Sequence, residues 1–169
     1  MKHTLAELSG LDRDGFVAAL DGVVEHSPWV AACAWEQRPF ADIDELSAAL
    51  EQAMRAAPGE LQRQLARAHP ELAGRAAVRG ELTEASSREQ QGAGLDRCSP
   101  EEFADLQALN AAYRERFGFP FVIAVRGLSR QDIIAALRAR LGATPEAALD
   151  VTLGEIARIA AGRLRERLA

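Results

Sequence analysis

The sequence feature that most constrains the fold is a repeated helix-start signal. Three times a hydroxyl residue stands directly before a proline, at Ser27-Pro28, Ser99-Pro100 and Thr144-Pro145. Serine and threonine are favoured N-cap residues, and proline suits the first helical position because no N–H is needed there. Between these signals, apolar residues recur every three or four positions, which is typical of an amphipathic helix. The chain is therefore predicted to fold as a set of helices.

Caps, periodicity and helix-breaking residues predict ten helices. They are expected at 4–9, 13–22, 27–35, 42–57, 60–68, 70–80, 83–91, 100–117, 129–141 and from 145 to the C-terminus. In the helix after Ser99-Pro100, one apolar stripe is predicted, which contains Phe103, Leu106, Leu109, Tyr113 and Phe117. No repeat, linker or low-complexity tract interrupts the series, so residues 1–169 are predicted to form an all-α, single compact multi-helix domain.

One segment breaks the helical pattern. Residues 117–127, FGFPFVIAVRG, are aromatic and β-branched and are too short for a typical helix. They predict a buried extended segment near 119–125. Extended backbone exposes N–H and C=O groups that need partners. A bound ligand could supply some of these partners, or neighbouring helix ends and water could supply them all.

Composition and charge exclude several classes of protein. A net charge of −5 with scattered basic residues argues against a nucleic-acid surface. Two cysteines without ligand spacing, and three histidines of which none has a partner at i+4, argue against a metal site and for a reducing compartment. The N-terminus has no apolar signal region, and no run reaches membrane length. A cytoplasmic protein that contacts no membrane is therefore expected.

His69 is the first candidate for chemistry. It stands directly before Pro70, whose ring fixes φ and stiffens the backbone beside the histidine. At this point His69 is predicted to be the N-cap of a helix that Pro70 begins. Histidine exchanges protons near neutral pH more readily than any other side chain. The alternative is that His-Pro marks only a structural boundary, and the dipeptide alone leaves both readings open.

Ser86, Glu89 and Gln90 form a second candidate group. Their spacing of i, i+3 and i+4 places a hydroxyl, a carboxylate and an amide on one helical face. Such a face can hydrogen-bond a small, flat, urea-like molecule. The alternative is that Ser86 and Glu89 form a capping box, in competition with Thr83 as the N-cap.

Arg163 is the third candidate, because it interrupts the apolar stripe of the last helix. At about 100° per residue, it lies only about 20° from Ile156, whereas Arg158 and Arg165 point away from the stripe. A buried guanidinium is costly unless it is paired. The partner is therefore expected to be either a protein carboxylate or an anionic ligand.

Three sequence motifs resemble those of one family in their residues, order and spacing. The runs HPELAG at 69–74, SSREQQGAGL at 86–95 and FGFPFVIAVRG at 117–127 resemble those of the OHCU decarboxylase family. OHCU is 2-oxo-4-hydroxy-4-carboxy-5-ureidoimidazoline, an intermediate of urate degradation. The resemblance covers the whole chain. It implies an all-helical homodimer without metal or organic cofactor, which releases CO2 from OHCU to give (S)-allantoin.

The resemblance also implies roles for individual residues. His69 and Glu89 correspond to catalytic residues. The residues that correspond to substrate-binding positions are Pro70, Ser86, Gln90, Phe121, Val122, Ile123 and Arg163. Ala85 departs from the pattern, since glutamate is common at its position, but no role is assigned to that position.

The implied chemistry agrees with the residue types. Loss of CO2 from a carbon beside a carbonyl leaves an enolate-type charge, which must be stabilised and then protonated. Histidine and glutamate suit the proton transfer, and arginine, glutamine and backbone N–H groups suit the charge. Two other classes remain open: a helical interaction module without activity, and an enzyme that acts on a related ureido or imidazolone acid.

Overall fold

The computed structural model describes residues 2–168, apart from the side chain of Ala76, and within them all regular structure is helical. The α-helices are α1 Leu5–Gly10, α2 Arg13–Ala19, α3 Pro28–Ala34, α4 Ile43–Ala56, α5 Gly59–Ala68, α6 Arg75–Arg79, α7 Glu84–Gly92, α8 Pro100–Phe117, α9 Arg130–Arg140 and α10 Pro145–Arg167. Short 3-10 helices, which the sequence did not predict, occupy Trp35–Gln37 and Leu95–Arg97. The predicted all-α class is confirmed.

The chain divides into two units, each with its own core. The first unit contains the residues up to Ala68 together with those from Leu153 onward, and the second contains His69–Thr152. The expectation of a single domain stays a prediction. In the described part of the chain, no helix is long and apolar enough to cross a membrane.

The first unit is built around α4. Asp42 caps this helix by accepting a hydrogen bond from the backbone N–H of Glu45 at 2.8 Å. Its apolar residues at helical spacing include Leu46, Leu50 and Met54, which are at most 1 % exposed, so this apolar face is the buried one. Helix α3 packs against α4 and α2. Near the end of α3, the indole N–H of Trp35 donates to the carbonyl of Leu11 at 3.1 Å.

The second unit is built around α8. A capping box of Ser99 and Glu102 begins this helix, as predicted, and Gly118 ends it with φ +76°. The buried face consists of Leu106, Asn110, Tyr113 and Phe117. The predicted stripe was wrong for Phe103, which is 38 % exposed. Instead, an unpredicted polar residue, Asn110, lies in the apolar row.

The connection between α8 and α9 is non-helical and buried, as predicted. Its apolar side chains are Phe119, Phe121, Val122, Ile123 and Val125, each less than 9 % exposed. The ring of Tyr113 packs edge-on against Phe121, with centroids 5.5 Å apart, and also contacts the rings of Phe117 and Phe119. This aromatic cluster fixes the segment to α8.

The prediction of a helix beginning at Pro70 was wrong. Residues 70–74 form a turn, and the helix begins only at Arg75. The helix cannot begin earlier because Ala73 adopts φ +51°, which a right-handed helix does not allow. His69 is therefore not a helix N-cap. It is the first residue after α5.

Candidate functional site

His69 lies where α5 ends, and its side chain is 5 % exposed with a buried Nε2 atom. The helix ends at Ala68 because a residue that precedes proline is disfavoured in helical geometry. Pro70 is half-buried beside it. Burial of the imidazole on a backbone stiffened by proline is compatible with a proton-transfer group held in one position.

The turn that follows His69 is held by Gln90 of α7. The backbone N–H of Ala73 donates to Oε1 of Gln90 at 3.0 Å, and Nε2 of Gln90 donates to the carbonyl of Glu71 at 3.3 Å. Gln90 is 6 % exposed. The structure thus brings one predicted substrate-binding residue against the turn that follows the predicted catalytic histidine.

Helix α8 holds the same turn from a second direction. Nε2 of Gln107 donates to the carbonyl of Ala73 at 2.7 Å, and Nδ2 of Asn110 donates to the carbonyl of Leu72 at 2.9 Å. One helical turn further on, Arg114 forms an ion pair with the carboxylate of Glu71. We call Gln90, Gln107 and Asn110 the amide clamp, because their side-chain amides bind the backbone of residues 71–73.

Ser86 and Glu89 lie on α7, one turn before and directly before Gln90. Ser86 is 4 % exposed and Glu89 is half-buried. The capping-box alternative was wrong, because Thr83 is the N-cap and accepts a hydrogen bond from the backbone N–H of Ser86 at 3.3 Å. Ser86 is therefore inside the helix, and its side chain shares the buried face with Gln90.

The predicted substrate-contacting segment is braced by α9. Arg140 donates to the carbonyl of Val122 at 2.6 Å, and its guanidinium lies 4.7 Å from the ring centroid of Phe121. The sequence left two sources of partners for this extended backbone: a bound ligand, or neighbouring helix ends and water. The carbonyl of Val122 uses neither source, because the side chain of Arg140 donates the hydrogen bond. Ile123, the residue after Val122, is also buried.

Arg163 belongs to the first unit and is turned inward, as its helical phase predicted. Its Nη2 lies 3.1 Å from Oε1 of Glu25, and its Nη1 donates to the carbonyl of Gly22 at 2.9 Å. The arginine side chain is 5 % exposed and that of Glu25 is 1 % exposed. Of the two expected partners, the structure contains the protein carboxylate. A role for Arg163 toward a substrate stays a prediction.

Several groups of the second unit have shifted pKa values. Burial raises the pKa of the Tyr113 phenol and of the Cys98 thiol. The backbone N–H of Ser99 lowers the pKa of Glu102, and Arg130 lowers it further. A thiol with a raised pKa is a poor nucleophile and a poor metal ligand at neutral pH. Among residues 2–168, no group of three His, Cys, Asp or Glu side chains is placed to hold a metal ion.

Several residues that bind the predicted site residues or their backbone were missed from the sequence. They are Glu25 in the first unit and Gln107, Asn110 and Arg140 in the second. Asn110 gave a signal, because it lies four residues after Leu106 and three before Tyr113, inside the apolar stripe of α8. The others gave none, since their partners are far away in the sequence.

Comparison with known proteins agrees with these motifs. The family model described as OHCU decarboxylase matches residues 9–165. A 2-oxo-4-hydroxy-4-carboxy-5-ureidoimidazoline decarboxylase of Haloferax volcanii is 43% identical over 166 residues, which cover 98% of this chain and 96% of the relative. The mouse protein of the same name is 40% identical, over 97% of this chain and 92% of its own length.

A solved structure shares the fold. A crystal structure of (S)-allantoin synthase superimposes with a TM-score of 0.77 at 27% sequence identity. The match covers 98% of this chain and 54% of that protein.

Proposed function

The chain belongs to the OHCU decarboxylase family, and from this membership we propose that it decarboxylates OHCU to (S)-allantoin and CO2 in urate degradation. The observation that carries the proposal is the match of the family model to residues 9–165, together with relatives of that name over nearly the full length. The three sequence motifs lie inside the matched range.

The reaction makes three demands on the protein. The carboxylate must be held so that the breaking C–C bond lies out of the plane of the neighbouring unsaturated system. The electron pair left behind must be stabilised as an enolate-type charge. A proton must then reach one face of the carbon, because a single enantiomer of allantoin is formed. No redox step occurs, so the balance is one carboxylate lost as CO2 and one proton gained.

His69 and Glu89 are assigned the proton transfers. A positioned acid–base side chain contributes roughly 10²- to 10⁴-fold in rate. His69 is supported by its burial and by the stiff Pro70 beside it. Glu89, half-buried one residue before Gln90, is a second carboxylate-bearing candidate on the same helix.

The remaining assignments concern binding. Ser86 and Gln90 would hydrogen-bond the ureido and ring groups, with Pro70 and the backbone of residues 121–123 beside the ring. Gln90 can serve both the turn and a ligand. A primary amide has two N–H donors and two acceptor lone pairs, and the contacts with Glu71 and Ala73 use one of each.

Arg163 would bind the substrate's negative charge. A guanidinium carries a fixed positive charge and presents its N–H donors in a planar fork, a geometry that matches the two oxygens of a carboxylate. The same proposal includes a homodimer that works in the cytoplasm without metal or organic cofactor. The observation that favours a reducing compartment is the sequence itself, which has two cysteines far apart and without ligand spacing.

The decisive experiment uses freshly generated OHCU. The loss of its ultraviolet absorbance is followed with and without protein, and the chirality of the allantoin is then measured. We expect faster loss and a single (S) product, whereas the uncatalysed reaction gives the racemate. A racemic product formed at the buffer rate would contradict the proposal. Sedimentation of the same sample tests the homodimer.

A further inference from the structure

Side-chain amides hold the turn after His69, in addition to one backbone hydrogen bond from the N–H of Gly74 to the carbonyl of Glu71 at 3.4 Å. Within residues 71–73, the amide clamp binds the carbonyls of Glu71, Leu72 and Ala73 and the N–H of Ala73, at distances of 2.7–3.3 Å. These four bonds come from two different helices, α7 and α8. The turn is therefore held by contacts remote in sequence as well as by its own backbone hydrogen bond.

The turn has a reason to need this support. Ala73 adopts φ +51°, a conformation that L residues with a Cβ atom rarely adopt. Both peptide groups of Ala73 are bound by a glutamine, the N–H by Gln90 and the carbonyl by Gln107. Without these bonds, the backbone would relax toward negative φ.

Such relaxation would reach His69. Only Pro70 and Glu71 separate the histidine from Leu72, and the φ of Pro70 is locked by its ring. Fewer free torsions are thus available to absorb a movement of the turn. A small displacement of the turn becomes a displacement of the imidazole.

Asn110 is an unusual choice if packing were its only task. It is 2 % exposed, it lies in an apolar row, and no donor among the described residues reaches its Oδ1. A buried polar atom without a partner costs stability, and an aliphatic side chain would avoid that cost. What the asparagine supplies instead is the hydrogen bond from Nδ2 to the carbonyl of Leu72.

From these contacts we infer that Gln107 and Asn110 are positioning residues, which set the place of the His69 imidazole by fixing the turn at 71–73. The inference rests on the proposed decarboxylation for its kinetic consequence. Its structural consequence, the place of the imidazole, does not depend on any substrate.

The test compares Asn110→Leu and Gln107→Leu with the matched control Gln62→Leu. Gln62 also uses its side-chain amide to bind backbone carbonyls, those of Met54 and Arg55, but it does so in the first unit. Gln107 is half-buried, so its variant is expected to fold even if Asn110→Leu does not. For all three, kcat and KM on OHCU and the melting temperature are measured.

A second readout needs no activity. The chain has only three histidines, so the imidazole NMR signals of His69 are readily assigned with a His69→Asn sample. We expect both clamp variants to move these signals and to lower kcat by roughly 10- to 100-fold with little change in KM. The Gln62 variant should leave the signals and kcat unchanged.

Each other outcome decides against the inference or against the function. Clamp variants with wild-type kcat, or with lowered kcat but unmoved His69 signals, would overturn the inference. A lower melting temperature with unchanged kcat and unchanged His69 signals would mean that the clamp only stabilises the fold. That result would overturn the inference as well. If the wild-type protein does not turn over OHCU while the signals move, the proposed function fails and the positioning of His69 stands.

Discussion

Two irregular turns in this protein are fixed by different chemistry. In the first unit, the turn after α2 is held by arginines of α10, since Arg163 binds the carbonyl of Gly22 and pairs with Glu25, and Arg167 binds the carbonyl of Ala19 at 3.3 Å. In the second unit, the turn after His69 is held by the neutral amide clamp. Both turns contain a residue other than glycine at positive φ, His26 in the first and Ala73 in the second.

Because their contacts differ, the two turns should respond differently to mutation. Removing one partner of a buried ion pair costs about 3–5 kcal/mol, because the other charge stays buried. A neutral hydrogen bond contributes about 0.5–1.5 kcal/mol net. Changes at the charged turn should therefore be seen in stability. Changes at the amide-held turn should be seen in the geometry of the neighbouring site.

The largest effect is expected at His69 itself. His69→Asn should lose roughly 10²- to 10⁴-fold in kcat, because it removes the proposed proton-transfer group. Its melting temperature should stay within a few degrees of wild type. The matched control is His26→Asn, since this histidine side chain is 72% exposed and asparagine tolerates positive φ. Near-normal turnover by His69→Asn would remove the reason for placing the chemistry in the second unit.

The next effect is expected at the charged turn. Arg163→Ala should cost about 3–5 kcal/mol of unfolding free energy, because it leaves the buried carboxylate of Glu25 without its arginine. Arg158→Ala is the outward-facing control, since its side chain is 75% exposed. Chemical unfolding and kinetics are measured on the same samples.

The kinetic half of this experiment tests the substrate role of Arg163. A loss of about 1.5–3 kcal/mol in kcat/KM by the folded protein would support it, as expected for a hydrogen bond to a charged group. Unchanged kinetics would make Arg163 purely structural. Unchanged stability would break the comparison between the two turns.

A smaller effect is expected in acid, where helix caps in both units titrate. Backbone N–H groups of Thr4, Ser99 and Ser129 lower the pKa of Glu7, Glu102 and Asp132, respectively. A carboxyl with a lowered folded-state pKa stabilises the protein above its unfolded pKa, and this contribution is lost as the pH falls through the folded value.

Unfolding free energy should therefore decrease below about pH 5. The measurement is urea unfolding as a function of pH, with Glu102→Gln as the comparison. This variant should show a shallower decrease. If the wild-type protein and Glu102→Gln showed the same pH dependence, the capping box of α8 would contribute nothing to the pH dependence of the unfolding free energy.

No effect is expected from metal removal. The described residues contain no cluster of three His, Cys, Asp or Glu side chains that could hold a metal ion. Exhaustive chelation should leave both turnover and melting temperature unchanged. Activity that vanishes and returns with zinc or magnesium would contradict this prediction.

The sequence predicted the parts of the fold that are set by local signals. The start of α8 at Ser99-Pro100, its end at Gly118 and the inward phase of Arg163 follow from neighbouring residues and were confirmed. The turn at 70–74 was predicted as helix, because nothing local shows that Ala73 adopts positive φ. Its backbone is bound by Gln107 and Asn110, which are 34 and 38 residues from the groups they bind.

The candidate site divides in the same way. His69, Ser86 and Gln90 could be nominated because proline, helical spacing and family motifs mark them in the sequence. The partners that fix these residues could not. Glu25 and Arg163 are a clear example, since a charge pair leaves no periodic trace when its members come from opposite ends of the chain.

The aromatic cluster around Tyr113 has a consequence for optical spectroscopy. Tyr113 is the single tyrosine of the chain and lies in the second unit, whereas both tryptophans, Trp29 and Trp35, lie in the first. Tryptophan emission therefore reports on one unit, and the near-ultraviolet circular dichroism of the buried phenol reports on the other. Melting curves from the two signals superimpose if the chain unfolds as one cooperative domain. The protein thus contains a separate intrinsic chromophore for each unit.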